Sequence, residues 1–200
     1  MSGAEVFFGG SFDPVHLGHL FAAQEAATAV GASRVLVVPT ARNPLKQERS
    51  AVSVEHRLEM VRRAVADNDM FVVSEVEIAA ASGTSGEPSY TEATVRTLIE
   101  TGMLVSRPAM IIGDDLLAEL PRWKNYQALL SAVRLIVVSR YGVDRSTLPA
   151  DAASDTLILE NPEIPVSSST VRSRLRQGRS VRYLVPDAVY EYINTHQLYQ

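Results

Sequence analysis

The chain has 200 residues, no cysteine and a formal net charge of -4 at pH 7. The absence of cysteine excludes thiol catalysis, disulfide frameworks and zinc–thiolate sites. A hydrophobic fraction of 46% with 21% charged residues is typical of a folded globular protein and excludes wholesale disorder. At this length we expect one domain over 1–200 that includes a C-terminal helical segment, 167–200.

The acidic balance argues against nucleic acid or an anionic membrane as the main partner. The first residues, Met1 to Val6, lack the basic, apolar and cleavage regions of a signal peptide. No apolar run approaches the roughly 18 residues of a membrane span. The sequence therefore predicts a cytoplasmic protein with small-molecule partners, and it leaves a homo-oligomer open.

Short apolar runs alternate with amphipathic stretches along the chain, as in parallel strands joined by crossover helices. The predicted strands are Glu5–Phe8, Arg34–Val38, Met70–Ile78, Ala109–Ile112, Leu135–Val138 and Thr156–Leu159. Three helices are predicted over Gly18–Val30, Trp123–Ala132 and Ser168–Gln177, and Gly178 ends the last of them. A further helix is capped by Ser53. Another is opened by a Ser89–Glu92 capping box and stopped by Gly102. This alternation predicts an α/β fold with a doubly wound parallel sheet and flanking helices.

The most informative segment runs from Gly9 to His19, between the first strand and the first helix. Two consecutive glycines, Gly9 and Gly10, allow a tight turn and a close approach of the backbone to a ligand. The N–H groups at the start of the helix favour an anion, and phosphate is the natural candidate. His16 and His19 are three residues apart, so both can face one side and donate to phosphoryl oxygens.

A plainer interpretation of the same segment is a Gly/Pro turn whose histidines cap a helix and pack. Neither the Gly-Lys-Ser/Thr phosphate loop nor the G-x-G-x-x-G dinucleotide motif is present. For either histidine alone the plainer interpretation is favoured. The combination of both histidines with two glycines and Asp13-Pro14 favours a phosphate site instead.

The residues from Gly9 to Pro14, followed by His16-Leu17-Gly18-His19, resemble the signature of the nucleotidyltransferases related to class I aminoacyl-tRNA synthetases. Within that superfamily, nearly the whole chain resembles the bacterial nicotinate mononucleotide adenylyltransferases. The supporting segments follow in the family's order: Pro39–Lys46, Pro88–Thr94, Ile111–Asp115, Leu120–Trp123 and Val166–Arg172. The departures from the family pattern are Ser11 for Thr, Leu45 for His, Ser169 for Thr, and Asp114 in place of Ala. Alignment on the usual Gly-Ala-Asp selects Asp115 over Asp114 as the functional aspartate.

The resemblance implies transfer of AMP from ATP, accompanied by Mg²⁺, to the phosphate of nicotinate mononucleotide in NAD biosynthesis, with release of pyrophosphate. A phosphomonoester has a second pKa of about 6, so the nucleophile is mostly dianionic at pH 7 and needs no general base. The reaction needs in-line positioning and cancellation of charge on the phosphoryl groups.

The resemblance also assigns residues to three roles. The catalytic residues are His16, His19, Lys46 and Arg172. The ATP-binding residues are Gly9, Gly10, Ser11, Phe12, His16, Gly18, His19, Gly113, Asp115, Ser168, Ser169 and Arg172. The acceptor-binding residues are Tyr90, Thr91, Thr94, Asp115 and Trp123, and no resident metal site is implied. Without the resemblance, a solvated surface lysine is the favoured interpretation of Lys46, and Tyr90 fits packing as well as binding. Trp123 can equally anchor a helix to the core, and Asp115 can cap a helix.

The sequence thus predicts an α/β protein with a single Rossmann-like parallel sheet that adenylylates nicotinate mononucleotide. Two enzymatic alternatives use the same first motif with nicotinamide mononucleotide or phosphopantetheine as acceptor. A third alternative is a nucleotide-binding sensor without catalysis, and a fourth is a nucleic-acid-binding module.

Overall fold

A computed structural model of the chain describes residues 3–42, 50–83, 88–139, 148–149, 151–152, 155–160 and 164–200. The strands are β1 (Ala4–Gly10), β2 (Ala32–Pro39), β3 (Phe71–Val73), β4 (Ala109–Gly113), β5 (Arg134–Ser139) and β6 (Leu157–Glu160). The α-helices are α1 (Leu17–Val30), α2 (Val54–Val65), α3 (Val76–Gly83), α4 (Thr91–Glu100), α5 (Tyr126–Ala132), α6 (Ser168–Arg176) and α7 (Asp187–Thr195). A 3₁₀ helix spans Asp114–Arg122.

These strands form one parallel sheet in the order β3-β2-β1-β4-β5-β6. The chain winds outward from β1 to β3 and then crosses back to place β4 beside β1. The strand order therefore reverses between β1 and β4, and ligands of such sheets bind outside the carboxyl ends of the strands at this switch point. The predicted α/β fold with a doubly wound, Rossmann-like sheet is confirmed.

Successive residues of the central strands face opposite sides of the sheet, and both sides are buried. Val6 and Val35 pack on one side in a core shared with α1, α2, α6 and α7. Phe7 and Leu36 pack on the other side in a core shared with α4, the 3₁₀ helix and α5. Burial on both faces is the reason that these strands are continuous apolar runs.

The prediction of one strand over Met70–Ile78 is wrong beyond its first residues. Strand β3 is only Phe71–Val73, and α3 begins at Val76. The Ser74 N–H still donates to the Val37 carbonyl, but the Ser74 hydroxyl accepts from the Val76 N–H and turns the chain into the helix. Apolar and charged residues alternate in this stretch as they do in a strand. The chain nevertheless leaves the edge of the sheet after Ser74.

Two predicted helix starts also differ from the structure. The Ser89–Glu92 capping box is absent, because α4 begins after Tyr90 without a side-chain cap. The Ser89 hydroxyl instead bonds the Glu77 carboxylate, which no local pattern reveals. The helix predicted from Trp123 begins at Tyr126, and the 3₁₀ helix before it was not predicted.

The predicted helix stops at Gly102 and Gly178 are confirmed. Both glycines adopt left-handed conformations, with φ of 71° and 65°, directly after the helix ends. Glycine adopts this conformation without the steric penalty of a Cβ atom. None of the helices in the described part of the chain is both long and apolar enough to cross a membrane.

Candidate active site

A cavity of about 770 Å³ opens at the carboxyl ends of β1 and β4. Its volume falls in the range of roughly 300–1,000 Å³ typical of small-molecule sites. The structure brings together around it most of the residues predicted from the sequence: Gly9, Gly10, Ser11, Phe12, His16, Gly18, His19, Tyr90, Thr91, Gly113, Asp115 and Trp123. The cavity therefore lies where the strand order places a ligand crevice.

The end of β1 favours glycine because an aromatic ring packs against it. A Cβ atom on Gly10 would lie 3.0 Å from the Phe12 ring, which is buried. The Thr40 N–H donates to the Gly10 carbonyl at 2.8 Å and ties the end of β1 to the segment after β2. The backbone of Gly9 and Gly10 consequently forms one wall of the cavity without side-chain obstruction.

His16 and His19 cap α1 reciprocally. The His19 N–H donates to Nδ1 of His16 at 3.3 Å, and the His16 N–H donates to Nδ1 of His19 at 3.2 Å. Because each Nδ1 accepts a hydrogen bond, each neutral ring carries its hydrogen on Nε2. The capping interpretation and the phosphate interpretation are thus compatible, since the caps use Nδ1 of each ring and place its hydrogen on Nε2.

Ring packing holds the histidine pair in place. The His16 and His19 rings stack with centroids 3.6 Å apart. Phe12 packs edge-on against His19 at 5.2 Å. A Cβ atom on Gly18 would lie 3.2 Å from the His16 ring, so a small residue is favoured between the histidines. The donors are therefore ordered before any ligand arrives, which is the condition for electrostatic preorganisation.

The first turn of α6 docks against the same loop. The Ser168 hydroxyl donates to the Pro14 carbonyl at 2.9 Å. Arg172 donates through Nη1 to the Asp13 carbonyl at 2.6 Å and through Nη2 to the Ser169 hydroxyl at 3.4 Å. Ser168 and Arg172 thus contact the loop residues Pro14 and Asp13, and Ser169 contacts Arg172. None of the three lines the cavity itself.

The start of α4 forms another wall of the cavity. Tyr90 and Thr91 line it, and the Lys124 ammonium lies 4.2 Å from the centroid of the Tyr90 ring. Thr94 does not line it, because its buried hydroxyl donates to Oε1 of Glu77 at 2.9 Å. Thr94, one of the predicted acceptor residues, therefore links α4 to Glu77 instead of lining the cavity.

Trp123 both anchors a helix end to the core and lines the cavity. It ends the 3₁₀ helix, where its backbone N–H donates to the Leu120 carbonyl at 3.0 Å. Its indole packs against the core that contains Phe7 and also lines the cavity. An aromatic face anchored in this way can stack on a planar ring without first being ordered.

The two aspartates after β4 have different surroundings. Oδ2 of Asp114 accepts a hydrogen bond of 2.8 Å from the buried Ser139 hydroxyl, which links the ends of β4 and β5. Asp115 is exposed at the cavity, and a Cβ atom on Gly113 would lie only 2.4 Å from its Oδ1. Glycine at 113 therefore makes room for the Asp115 carboxylate.

Arg57 is a buried cation that the sequence analysis missed. It is 2% exposed, and it donates through Nη1 to the Ser11 carbonyl at 2.6 Å and through Nη2 to the Ala41 carbonyl at 3.2 Å. Burial lowers the pKa of its guanidinium, while the negative charge of Asp13 opposes that shift. Its position four residues before the buried Val61, on the apolar face of α2, was the available signal.

Glu77 is a second missed residue, and it lines the cavity. The Ala41 N–H donates to its Oε2 at 3.2 Å, on the carboxylate that also binds Thr94. Burial raises the pKa of Glu77, and hydrogen bonds from Thr94, Ser89 and Ala41 oppose that rise. Its segment resembles a strand, so the sequence carried no signal for it.

Tyr199 is the third missed residue. Its hydroxyl donates to Oδ1 of Asp13 at 2.8 Å across 186 positions of the chain. Such a contact has no local sequence signal.

The remaining predicted catalytic residue, Lys46, lies outside the described residues. Within the described ranges, no group of three or more His, Asp or Glu side chains is arranged to hold a metal ion.

Comparisons with known proteins find relatives that match nearly the whole chain. A family model described as cytidylyltransferase-like matches residues 7–174. A probable nicotinate-nucleotide adenylyltransferase of Roseiflexus sp. (strain RS-1) is 42% identical over 207 residues, covering 100% of both chains. A protein of the same name from Symbiobacterium thermophilum is 38% identical, covering 96% of this chain and 92% of its own.

A solved structure has the same fold at low sequence identity. It is Plasmodium falciparum nicotinic acid mononucleotide adenylyltransferase complexed with NaAD, with a TM-score of 0.80 and 18% identity. The match covers 98% of this chain and 97% of that one. At this identity the likeness establishes the architecture alone.

Proposed function

Because the chain belongs to the cytidylyltransferase-like family and, within it, to the nicotinate-nucleotide adenylyltransferases, we propose that it adenylylates nicotinate mononucleotide with ATP, a step of NAD biosynthesis. The products are nicotinate adenine dinucleotide and pyrophosphate. The observation that carries the proposal is the stacked, reciprocally capped pair of His16 and His19 in the cavity at the switch point.

The reaction forms one P–O bond and breaks another. A phosphate oxygen of nicotinate mononucleotide attacks the α-phosphorus of ATP. The bond from that phosphorus to the oxygen bridging the β-phosphate breaks, and pyrophosphate leaves with the electron pair. The attacking phosphate is mostly dianionic at pH 7, so the protein's task is to align the reactants and stabilise charge.

The histidine pair supplies donors to the phosphoryl groups. Nε2–H of His19 serves the α-phosphoryl oxygens, and Nε2–H of His16 serves the neighbouring β-phosphate. The stacking of the two rings and the contact with Phe12 support these roles, because ordered donors need no rearrangement in the transition state. Arg172 and Lys46 are the proposed cationic partners of the departing pyrophosphate.

The residues present fit Mg²⁺ that is brought by ATP. Mg²⁺ keeps several waters and binds one or two carboxylates together with substrate phosphates. Asp115 provides one exposed carboxylate at the cavity, and the described residues hold no three-ligand cluster. When bound, the ion neutralises charge on the triphosphate.

The acceptor's pyridine ring is assigned to the wall formed by Tyr90 and Trp123. The first N–H groups of α4, beginning at Thr91, are suited to the nicotinate carboxylate. The ammonium of Lys124 beside Tyr90 adds positive charge at the same wall. This wall favours an acidic pyridine over its neutral amide.

The test of function is pyrophosphate release from ATP and Mg²⁺ with three acceptors in parallel: nicotinate mononucleotide, nicotinamide mononucleotide and phosphopantetheine. We expect the highest kcat/KM with nicotinate mononucleotide. Comparable use of the amide would remove the acid specificity but keep the chemistry. Folded protein that binds ATP but releases no pyrophosphate with any acceptor would be a sensor.

The variant that tests the catalytic role in that assay is His19→Ala. Loss of a preorganised donor should lower kcat by roughly 10²–10³-fold. The matched control is His56→Ala, because His56 bonds Tyr192 and does not line the cavity. Circular dichroism should show both variants folded. Wild-type turnover in His19→Ala would contradict the assignment.

A further inference from the structure

The C-terminal end of the chain folds back onto the loop that precedes α1. Tyr199 follows α7 and is buried, with 8% of its surface exposed. Its hydroxyl donates to Oδ1 of Asp13 at 2.8 Å. The second-to-last residue of the chain therefore contacts the loop that carries Ser11, Phe12 and the histidine pair.

Asp13 sits at a junction of three segments and is 6% exposed. The Ala51 N–H donates to its Oδ2 at 3.1 Å, while Tyr199 occupies Oδ1. Arg172 binds the backbone carbonyl of Asp13 at 2.6 Å, and the same Nη1 lies 4.0 Å from Oδ2. The guanidinium is thus held beside the carboxylate, and its short contact is to the peptide oxygen.

This arrangement is unusual for an arginine next to a buried carboxylate. A guanidinium and a carboxylate favour a bidentate ion pair, which is short and charge-assisted. Two neutral donors, the Tyr199 hydroxyl and the Ala51 N–H, occupy the two carboxylate oxygens. Without the hydroxyl, Oδ1 would be buried without this partner, and Arg172 would gain by closing onto Asp13.

The other cation near this junction is Arg57. Its charge interacts with Asp13 and with Tyr199, but its Nη atoms bond the Ser11 and Ala41 carbonyls. Both Nη atoms of Arg57 therefore bind backbone carbonyls, one after β1 and one after β2. Arg172 is the cation whose contacts the Asp13 carboxylate would change.

We propose that Tyr199 is a positioning residue for ATP, whose hydroxyl occupies Asp13 so that Arg172 keeps its N–H groups for the triphosphate. This inference rests on the proposed function of the same site. A guanidinium has five N–H donors, and the contacts with Asp13 and Ser169 use two of them. Burial and the neighbouring Asp13 charge raise the pKa of Tyr199, so the hydroxyl stays protonated and remains a donor.

The test compares two tyrosine-to-phenylalanine variants. Tyr199→Phe removes only the hydroxyl that binds Asp13. Tyr192→Phe is a matched control in the same C-terminal segment, because its hydroxyl is bonded to Nδ1 of His56 at 2.9 Å and that pair lies outside the cavity. We expect Tyr199→Phe to raise KM for ATP about tenfold, the order expected for a hydrogen bond to a charged group, while KM for nicotinate mononucleotide stays unchanged. Tyr192→Phe should leave both KM values unchanged.

Asp13→Asn provides a second route to the same question. The asparagine oxygen can still accept from Tyr199, but the amide does not attract Arg172 as a carboxylate does. In this background, Tyr199→Phe should raise KM for ATP by less than in the wild type. Equal increases in the two backgrounds would overturn the proposal, because the effect would not pass through the charge of Asp13.

Binding measurements separate this inference from the proposed function. Calorimetric titration with ATP and Mg²⁺, without acceptor, should show about tenfold weaker binding for Tyr199→Phe than for Tyr192→Phe. That result would stand even if no acceptor supported pyrophosphate release. Equal ATP affinity in the two variants, with equal thermal stability losses, would reduce Tyr199 to a structural anchor and overturn the proposal.

Discussion

At the scale of single residues, buried charges surround the loop after β1. Arg57 and Glu77 both bind Ala41, the first through the carbonyl and the second through the N–H. A buried charge is costly unless hydrogen bonds satisfy it, so each of these groups stabilises one backbone geometry over others. Their contacts fix the backbone at Ser11, which follows β1, and at Ala41, which follows β2.

The raised pKa of Glu77 leads to a prediction for how the free energy of unfolding depends on pH. Because burial raises its pKa, the folded protein retains a proton on Glu77 over a pH window in which the unfolded chain has released it. The free energy of unfolding contributed by this group therefore falls as pH rises from the ordinary glutamate pKa through the raised one. Glu77→Gln does not titrate, so its stability relative to the wild type should improve with rising pH.

Thermal unfolding of both proteins from about pH 4 to pH 8 measures this difference. Glu100→Gln is the control, because Glu100 is exposed at the end of α4. Parallel pH profiles for wild type and Glu77→Gln would show that Glu77 titrates normally in the folded protein.

At the scale of elements, helix starts divide into capped and uncapped ones. The side chains of His16, Ser53 and Ser167 cap α1, α2 and α6. Helix α4 begins after Tyr90 with no side-chain cap, and its start lines the cavity. The first N–H groups of any helix lack partners within the helix. An uncapped helix start at a cavity is therefore suited to an anionic ligand.

Thr91→Pro tests that role of α4. Proline suits the first helical position, and Tyr90 already has φ of -110° and ψ of 125°, which a residue before proline favours. The variant should fold but lack the Thr91 N–H, so KM for nicotinate mononucleotide should rise about tenfold with KM for ATP unchanged. Thr91→Val is the matched control, because it keeps the N–H and removes the hydroxyl. Equal KM values in the two variants would place the carboxylate elsewhere.

At the scale of the whole molecule, the sheet joins two cores. Ile193 of α7 packs in the core with Met60 of α2, and Trp123 packs in the core on the opposite face. The C-terminal segment, 167–200, thus shares a core with the central strands. We propose on this basis that residues 1–200 fold as one domain.

Ile193→Val tests that proposal, because the substitution lies on one face of the sheet and Trp123 lies on the other. Removing one buried methyl group should lower the free energy of unfolding by about 1 kcal/mol. Since Trp123 is the single tryptophan, its fluorescence reports the opposite face of the sheet. In one cooperative domain, denaturant unfolding followed by Trp123 fluorescence and by circular dichroism should show the same lowered midpoint. An unchanged fluorescence midpoint would indicate that the C-terminal segment unfolds separately.

Local patterns in the sequence were sufficient for the architecture and for most of the cavity. Runs such as Val35 to Val38 predict strands buried on both faces, and Gly9 to His19 predicts a phosphate site, because each depends on residues close together in the chain. The same reasoning failed at Met70–Ile78, where alternating Val and Glu fit either a strand or a helix start. The choice between strand and helix depends on where the chain leaves the edge of the sheet, which the tertiary structure sets.

Tertiary structure alone decided which buried polar groups support the site. The Tyr199 hydroxyl meets Asp13, Glu77 meets Thr94 and Ala41, and Arg57 meets Ser11, each across many positions of the chain. Local propensity depends on near neighbours, and motifs depend on spacing. A buried hydrogen bond depends only on which segments the packed core brings within about 3 Å. Its partners are therefore absent from any short stretch of sequence until the fold places them together.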